Sequence, residues 1–220
     1  MEDKLASLEQ ALSQDINALG LSKPVSLQDL TAALHLKDQA ATTDQSLSEF
    51  LQRAPATLII RTYRASEQDS TETDALVGAV MTLAKRVQCP RLATLEVELR
   101  RALVPADFPI VAAHSSLAGA QPKLALVEFG GRYYQPGASP PEVLNRWEVC
   151  EDLARQLAER SLETEKGKYA HLSREAILEQ YLQRLFRTGW GADEEMKWVV
   201  HRTAAMLKWP VPKEAQFTPQ

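Results

Sequence analysis

The stretch that decides the fold is Lys-Leu-Ala-Leu-Val-Glu-Phe-Gly-Gly-Arg-Tyr-Tyr, residues 123–134. Two runs of apolar, β-branched and aromatic residues flank Gly130 and Gly131, and a glycine pair between such runs is typical of a tight β-hairpin turn. The sequence therefore predicts a small antiparallel sheet with a hairpin near 122–135. Several prolines and a glycine follow at 136–141, and this breaker segment predicts a linker.

Upstream of the sheet, residues 1–53 carry a helical pattern. Apolar residues recur at three- and four-residue steps on one face of the first predicted helix, at Leu5, Leu8, Leu12, Ile16 and Leu19. Ser26 followed by Asp29 predicts the N-terminal cap of a second helix. We interpret 1–53 as a small helical unit, and the alternative is an amphipathic arm that binds a partner.

The middle of the chain, 54–137, is predicted to be a small α+β unit. Its β-branched and apolar stretch Thr57–Tyr63 predicts a strand, and so does Phe108–Ala113. Leucines and valines at helical spacing predict two helices between these strands, although the alternation in Thr94–Leu99 leaves a strand possible in place of the second helix.

The last part, 138–212, is predicted to be a helical subdomain, followed by a tail at 213–220. All four tryptophans of the chain lie in it, three of them at Trp190, Trp198 and Trp209. Aromatic residues anchor cores as well as protein interfaces, so these three are either core residues or candidates for a partner-binding surface. Together these patterns predict an α+β protein, predominantly helical, in which helical parts flank the small sheet.

Composition restricts the class of protein. The 220 residues include 25 basic and 29 acidic side chains, a formal net charge of -4, and two cysteines. No apolar run approaches the roughly 20 residues of a membrane span, and two distant thiols do not form a disulfide framework. These features predict a cytoplasmic protein without a membrane segment, and the mild acidity disfavours broad nucleic-acid binding. No cysteine, histidine or acidic residues have metal-ligand spacing, so we predict no metal.

One motif carries a chemical signal. Ser-Leu-Ala-Gly-Ala-Gln-Pro-Lys-Leu-Ala-Leu, residues 116–126, places small residues directly before the predicted hairpin. Small residues allow the backbone to approach another group closely, and exposed N–H groups on such a turn cradle phosphates. The candidates for a phosphate or nucleotide loop are Ser116, Gly119, Ala120, Gln121 and Lys123.

The same segment, with Gly-Gly-Arg-Tyr-Tyr after it, resembles the glycine-rich loop of HipA-like serine/threonine kinases, the toxins of bacterial toxin–antitoxin pairs. The resemblance covers about 20 residues and implies a loop over the ATP phosphates, with Ser116 at an autophosphorylated position. It also implies a bacterial origin and a toxin–antitoxin, phage-defence or mobile-element setting.

The remaining kinase parts are absent from the sequence. No strand with an ATP-anchoring lysine follows the hairpin, and no Asp-x-x-x-x-Asn pattern follows residue 137. Phosphoryl transfer depends on positioned metal ions and a base near the acceptor. The sequence therefore favours a non-catalytic regulatory protein that binds a protein partner and keeps a HipA-like loop, without a cofactor.

Two alternatives stay open. The first is a nucleotide-binding or minimal phosphotransfer enzyme centred on Ser116 and Lys123, which would use ATP and Mg²⁺. The second is a nucleic-acid-binding accessory protein that uses Lys197, Arg202 and Lys208 on its last helix, although acidic residues at the start of that helix would repel phosphates.

Overall fold

The computed structural model describes residues 2–35, 42–65, 73–112, 116–117, 123–167 and 170–216, with the backbone alone described at 2–5, 116–117 and 123–124. The chain divides into two units, Met1–Leu103 and Val104–Gln220. This division differs from the three parts predicted from the sequence. The reason is that α4 (Ala56–Arg64) packs against α1 (Glu2–Ala18) and α2 (Leu27–Leu34), so the residues after 53 belong with the N-terminal helices.

The described part of the first unit is helical throughout. Besides α1, α2 and α4 it contains α3 (Asp44–Arg53), α5 (Thr73–Arg86) and α6 (Leu92–Leu103). The helices enclose one apolar core, whose fully buried side chains include Ile16, Leu30, Leu47, Phe50, Ile59, Leu76, Leu83, Leu95 and Leu99. Ser26 caps α2 as predicted, because its hydroxyl accepts a hydrogen bond from Asp29 N at 3.1 Å.

The predicted strand at Thr57–Tyr63 is wrong, because these residues lie in α4. Thr57, Arg61 and Arg64 are the exposed positions of the helix, and their spacing of four and three residues is helical. Burial of the intervening apolar residues against α2 and α6 overrides the strand preference of their β-branched side chains.

The second unit begins with an irregular segment and two short antiparallel ladders. Strands β1 (Ser116–Leu117) and β2 (Lys123–Leu124) pair, and so do β3 (Val127–Phe129) and β4 (Arg132–Tyr134) around Gly130 and Gly131. The predicted hairpin and the predominantly helical α+β class are thus confirmed. None of the six residues of β3 and β4 is buried.

The strand predicted at Phe108–Ala113 is wrong over its described residues, Phe108–Ala112, which form no strand. Pro105 and Pro109 bracket the start of the segment, and a proline has no N–H to donate to a ladder. Phe108 is instead buried edge-on against Trp198, with ring centroids 5.0 Å apart, and Ala113 lies outside the described residues.

Three helices form the body of the second unit: α7 (Pro140–Lys166), α8 (Arg174–Thr188) and α9 (Asp193–Leu207). Arg146 pairs with Glu195 and, further along both helices, Glu151 pairs with Arg202, so α7 and α9 run parallel. A 3-10 turn, Lys213–Ala215, packs against α8 and α9. Within the described ranges no helix combines the length and apolar character that crossing a bilayer requires.

Candidate interaction surface

The three tryptophans predicted as partner-surface candidates differ in exposure. Trp198 is 1% exposed and Trp209 is 6% exposed, so both are interior residues of the second unit. Trp190 is 62% exposed and lies in the turn between α8 and α9. Trp190 is therefore the one of the three whose ring a partner can reach.

The turn that carries Trp190 is fixed by local contacts. Gly189 ends α8 with a φ of +66°, a left-handed conformation that favours glycine. Trp190 N donates a hydrogen bond to Thr188 Oγ1 at 3.3 Å, and Arg146 Nη2 donates one to Trp190 O at 3.4 Å. The exposed indole thus projects from a turn whose main chain is held from both sides.

Arg146 ties this turn to α7 through Glu195, which is buried. Arg146 Nε donates to Glu195 Oε1 at 2.8 Å, and Arg146 Nη2 donates to Glu195 Oε2 at 2.6 Å. Ala192 N also donates to Glu195 Oε2, at 2.9 Å. Hydrogen bonding to Glu195 raises the pKa of Arg146, against the opposing effect of burial. The pair anchors the first turn of α9.

Gly191 lies against this ion pair. A Cβ atom at Gly191 would lie 2.5 Å from Arg146 Nη2 and 2.5 Å from Glu195 Oε2. Real Cβ atoms do not come so close to another heavy atom, so a side chain here would displace the paired groups. A side chain at 191 could therefore be accommodated only if the ends of the Arg146 and Glu195 side chains moved.

Exposed apolar side chains are concentrated in the second unit. Of the eight large exposed hydrophobic residues among the described side chains, Leu8 belongs to the first unit and seven belong to the second: Ile110, Val111, Leu126, Tyr133, Val149, Leu162 and Trp190. Single exposed apolar residues are normal on protein surfaces. The second unit therefore carries most of the large exposed apolar side chains that the structure describes.

The candidates for a phosphate loop lie mainly outside the described residues, as Gly119, Ala120 and Gln121 do. Ser116 belongs to β1 and Lys123 to β2, and the ladder pairs Ser116 with Leu124 and Leu117 with Lys123. The two ends of the predicted loop are thus neighbouring positions of an antiparallel ladder. Phosphate binding by this loop stays a prediction.

The three nucleic-acid candidates occupy different environments. Arg202 Nε and Nη2 donate to Glu151 Oε2 and Oε1 at 2.9 and 3.0 Å, so its guanidinium is engaged within the second unit. Lys197 is half-buried on α9. Lys208 is exposed beyond the end of α9 and has a φ of +55°. Nucleic-acid binding through these side chains also stays a prediction.

Sequence reasoning missed the pairing of Arg146 with Glu195 and the close approach of Gly191 to that pair. The ion pair joins residues 49 positions apart, and no local pattern marks such a pair. Among the described residues, no three or more histidine, cysteine or acidic side chains are grouped so as to hold a metal ion.

Comparison of the chain with protein-family models, curated proteins and solved structures found no match.

Proposed function

We propose that this chain is a non-catalytic, cytoplasmic bacterial regulatory protein whose second unit binds another protein. The observation that carries the proposal is the concentration of exposed apolar side chains in that unit, with Trp190 at 62% exposure. Tryptophan is enriched among the residues that dominate the energy of protein interfaces. The toxin–antitoxin, phage-defence or mobile-element setting is supported by the local resemblance to HipA-like kinases.

The fixed turn supports Trp190 as the anchor of this interface. An aromatic side chain on a rigid main chain loses little conformational entropy when a partner covers it. The hydrogen bonds that Trp190 N donates to Thr188 and that Trp190 O accepts from Arg146 support that rigidity. Truncating the indole should therefore weaken binding without disturbing the interior of the unit, because its ring is mostly in solvent.

The test is quantitative co-purification of the tagged full chain from its native host, followed by reconstitution with the purified partner. Trp190→Ala should lower affinity by about tenfold or more, a typical loss for an interface hot spot. Leu8→Ala, which removes an exposed apolar side chain from the first unit, is the matched control and should bind as the wild type does. A chain that emerges alone and monomeric, or a partner bound equally by Trp190→Ala, would contradict the proposal.

A second function, phosphate or nucleotide binding by the loop at 116–123, is favoured by the pairing of β1 with β2. A tight antiparallel ladder brings the ends of the intervening segment together, as a phosphate-cradling turn requires. Thermal shift with ATP and Mg²⁺, compared between the wild type and Lys123→Ala, tests it. The absence of a shift, together with the absence of phosphate on Ser116 by mass spectrometry, would exclude it.

A further inference from the structure

The turn between α8 and α9 places charges of opposite sign on the two sides of Trp190. Arg184 and Arg187 precede it in the last two turns of α8, and Asp193 and Glu194 follow it in the first turn of α9. All four charged side chains are exposed. We call these five residues the Trp190 patch, with a basic flank on α8 and an acidic flank on α9.

The four charges of the patch are not neutralised within the protein. None of these side chains forms an ion pair with a residue that the structure describes. Glu195, the next acid along α9, is by contrast buried and paired with Arg146. The guanidinium of Arg184 lies 5.7 Å from the centre of the Tyr181 ring, a contact that orients the group without neutralising it. Both flanks are therefore free to pair with a partner.

The position of the charges at helix ends explains only part of this pattern. Arg187 lies in the last turn of α8, and Asp193 and Glu194 lie in the first turn of α9, where the helix dipoles favour a base and an acid. Arg184 lies one turn earlier, where the dipole effect has fallen off. Since residues three apart are neighbours on a helix, it extends the exposed basic surface of Arg187 along α8.

The centre of the patch is apolar. A tryptophan side chain buries roughly 150–250 Å² when a partner covers it. Val149, which is 49% exposed, follows Arg146 by three residues on α7, and Arg146 Nη2 donates a hydrogen bond to Trp190 O. Val149 is therefore a neighbour of the side chain that holds the turn, and adds apolar surface beside it.

The apolar centre and the charged flanks have different roles in binding. An exposed ion pair adds little to affinity, because water screens it. Complementary charges instead decide which partner binds, because like charges brought together are repelled. The indole of Trp190 thus provides most of the binding energy, and the flanks select the partner.

The flanks select a partner that carries both signs of charge. A nucleic-acid backbone or a uniformly acidic peptide would be attracted by Arg184 and Arg187 and repelled by Asp193 and Glu194. The fitting partner has an acidic flank and a basic flank on opposite sides of an apolar centre. The Trp190 patch itself has this arrangement.

A two-fold axis through the indole sets the basic flank of one copy against the acidic flank of the other, in both directions. Self-complementarity of this kind is the requirement for a two-fold interface between identical chains. We propose that the chain forms a two-fold homodimer through the Trp190 patch. This inference rests on the proposed function, whose partner it identifies as a second copy of the chain.

The experiment measures the dissociation constant of the dimer by analytical ultracentrifugation of the purified full-length chain. Trp190→Ala should raise the constant about tenfold or more, as the loss of an interface anchor does. The basic-flank variant, Arg184→Glu with Arg187→Glu, should also raise it, because acids then meet acids. The acidic-flank variant, Asp193→Lys with Glu194→Lys, should raise it because bases then meet bases.

The matched control for the charge reversals is Glu179→Arg. Glu179 is exposed on α8, five residues before Arg184 and about 140° away from it around the helix axis. Reversing its charge leaves both flanks unchanged. This variant should therefore dimerise as the wild type does.

An equimolar mixture of the two flank variants provides the decisive measurement. In the mixed pair one chain has only acids on its flanks and the other has only bases, so each flank meets its opposite. Each variant alone should be monomeric and the mixture dimeric, which also shows that both variants are folded. Asp193→Asn with Glu194→Gln removes the acidic charges with little change of shape, and should weaken the dimer even where the lysine variant does not fold.

Three results would overturn the proposal. The first is a wild-type chain that is monomeric at the highest concentration it reaches in solution. The second is a dimer whose dissociation constant is unchanged in Trp190→Ala or in the basic-flank variant. The third is a mixture that stays monomeric although circular dichroism shows both flank variants to be folded.

The outcomes also separate this inference from the proposed function. A wild-type chain that is monomeric but retains a different protein from its host would overturn the homodimer and leave the proposed function intact. A chain that is monomeric and emerges alone would contradict both.

Discussion

Arg202 donates two hydrogen bonds to the Glu151 carboxylate, and this ion pair joins α9 to α7. Glu151 is only 5% exposed. Arg155 also approaches Glu151, at the longer distance of 3.7 Å. A buried carboxylate that loses its partner keeps the cost of its desolvation. The pair therefore matters more to the stability of the second unit than its position near the surface suggests.

Arg202→Met should lower the free energy of unfolding by about 2 kcal/mol, because it removes two charged hydrogen bonds and leaves Glu151 with its more distant neighbour. The side chain of Arg202 is partly in solvent, which keeps the loss below that of a fully buried pair. Urea unfolding measures the difference.

The matched control for this variant is Arg160→Met on α7, the helix that carries Glu151. Arg160 pairs with Glu163 at 2.8 Å, and both side chains are mostly in solvent. Its loss should be clearly smaller than that of Arg202→Met, because water screens an exposed ion pair. Equal losses for the two variants would show that Glu151 does not depend on Arg202.

Gly191→Ala should destabilise the protein by about 1 kcal/mol, because the new Cβ would displace the ends of the Arg146 and Glu195 side chains from the positions in which they pair. Gly78→Ala makes the same chemical change inside α5, where a Cβ meets nothing within 4 Å. That variant should stabilise the protein by about 0.5–1 kcal/mol, since alanine is the better helix former. Thermal unfolding of both variants provides the check, and a shift of the same sign in both would refute the steric argument.

Lys208→Gly should stabilise the second unit. Lys208 has a φ of +55°, with Lys208 N bonded to Ala205 O and Trp209 N bonded to Ala204 O, so it occupies the glycine position of a Schellman helix end. Relieving this left-handed conformation should raise the free energy of unfolding by about 1 kcal/mol, as measured by chemical denaturation. Lys208→Ala keeps a Cβ and serves as the control, and a gain of equal size in it would contradict the backbone explanation.

The stability of the protein should fall between pH 9 and pH 11 because of Cys150. Burial, with a smaller contribution from the nearby Glu195 carboxylate, raises the pKa of the Cys150 thiol from 9.0 to about 11. Below pH 9 the thiol is protonated in both the folded and the unfolded chain, so it does not make the free energy of unfolding depend on pH. Above it the unfolded chain releases the proton while the folded chain keeps it, so unfolding becomes easier by about 1.4 kcal/mol per pH unit until the folded thiol ionises.

Urea unfolding at several pH values in this range gives the slope of the free energy of unfolding against pH. Cys150→Ala should flatten the slope relative to the wild type, whatever it does to stability at neutral pH. Cys89→Ala, which removes the other buried thiol, should retain it. An unchanged slope in Cys150→Ala would assign the alkaline loss to other groups.

Features with a local signal were predicted well from the sequence. The hairpin at Gly130–Gly131 and the cap at Ser26 each depend on a few consecutive residues whose chemistry suits a turn or a helix start. The segment Thr57–Tyr63 was predicted wrongly, because its β-branched composition favours a strand while its neighbours in the folded unit bury it as a helix.

The candidate surfaces were only partly predictable for the same reason. The concentration of tryptophans is visible in the sequence, but only long-range packing buries Trp198 and Trp209 and leaves Trp190 exposed. Likewise, the left-handed helix end at Gln88 lacks the glycine that usually marks such a position.

The hairpin β3–β4 has a consequence for the order in which the second unit opens. None of its six residues is buried, so separating its strands gives up little apolar contact. Its cross-strand amides should exchange with deuterated solvent through a local opening, far more readily than the amides around Val199 and Val200 in the buried part of α9. The most recognisable element of the sequence would then be among the least protected parts of the folded chain.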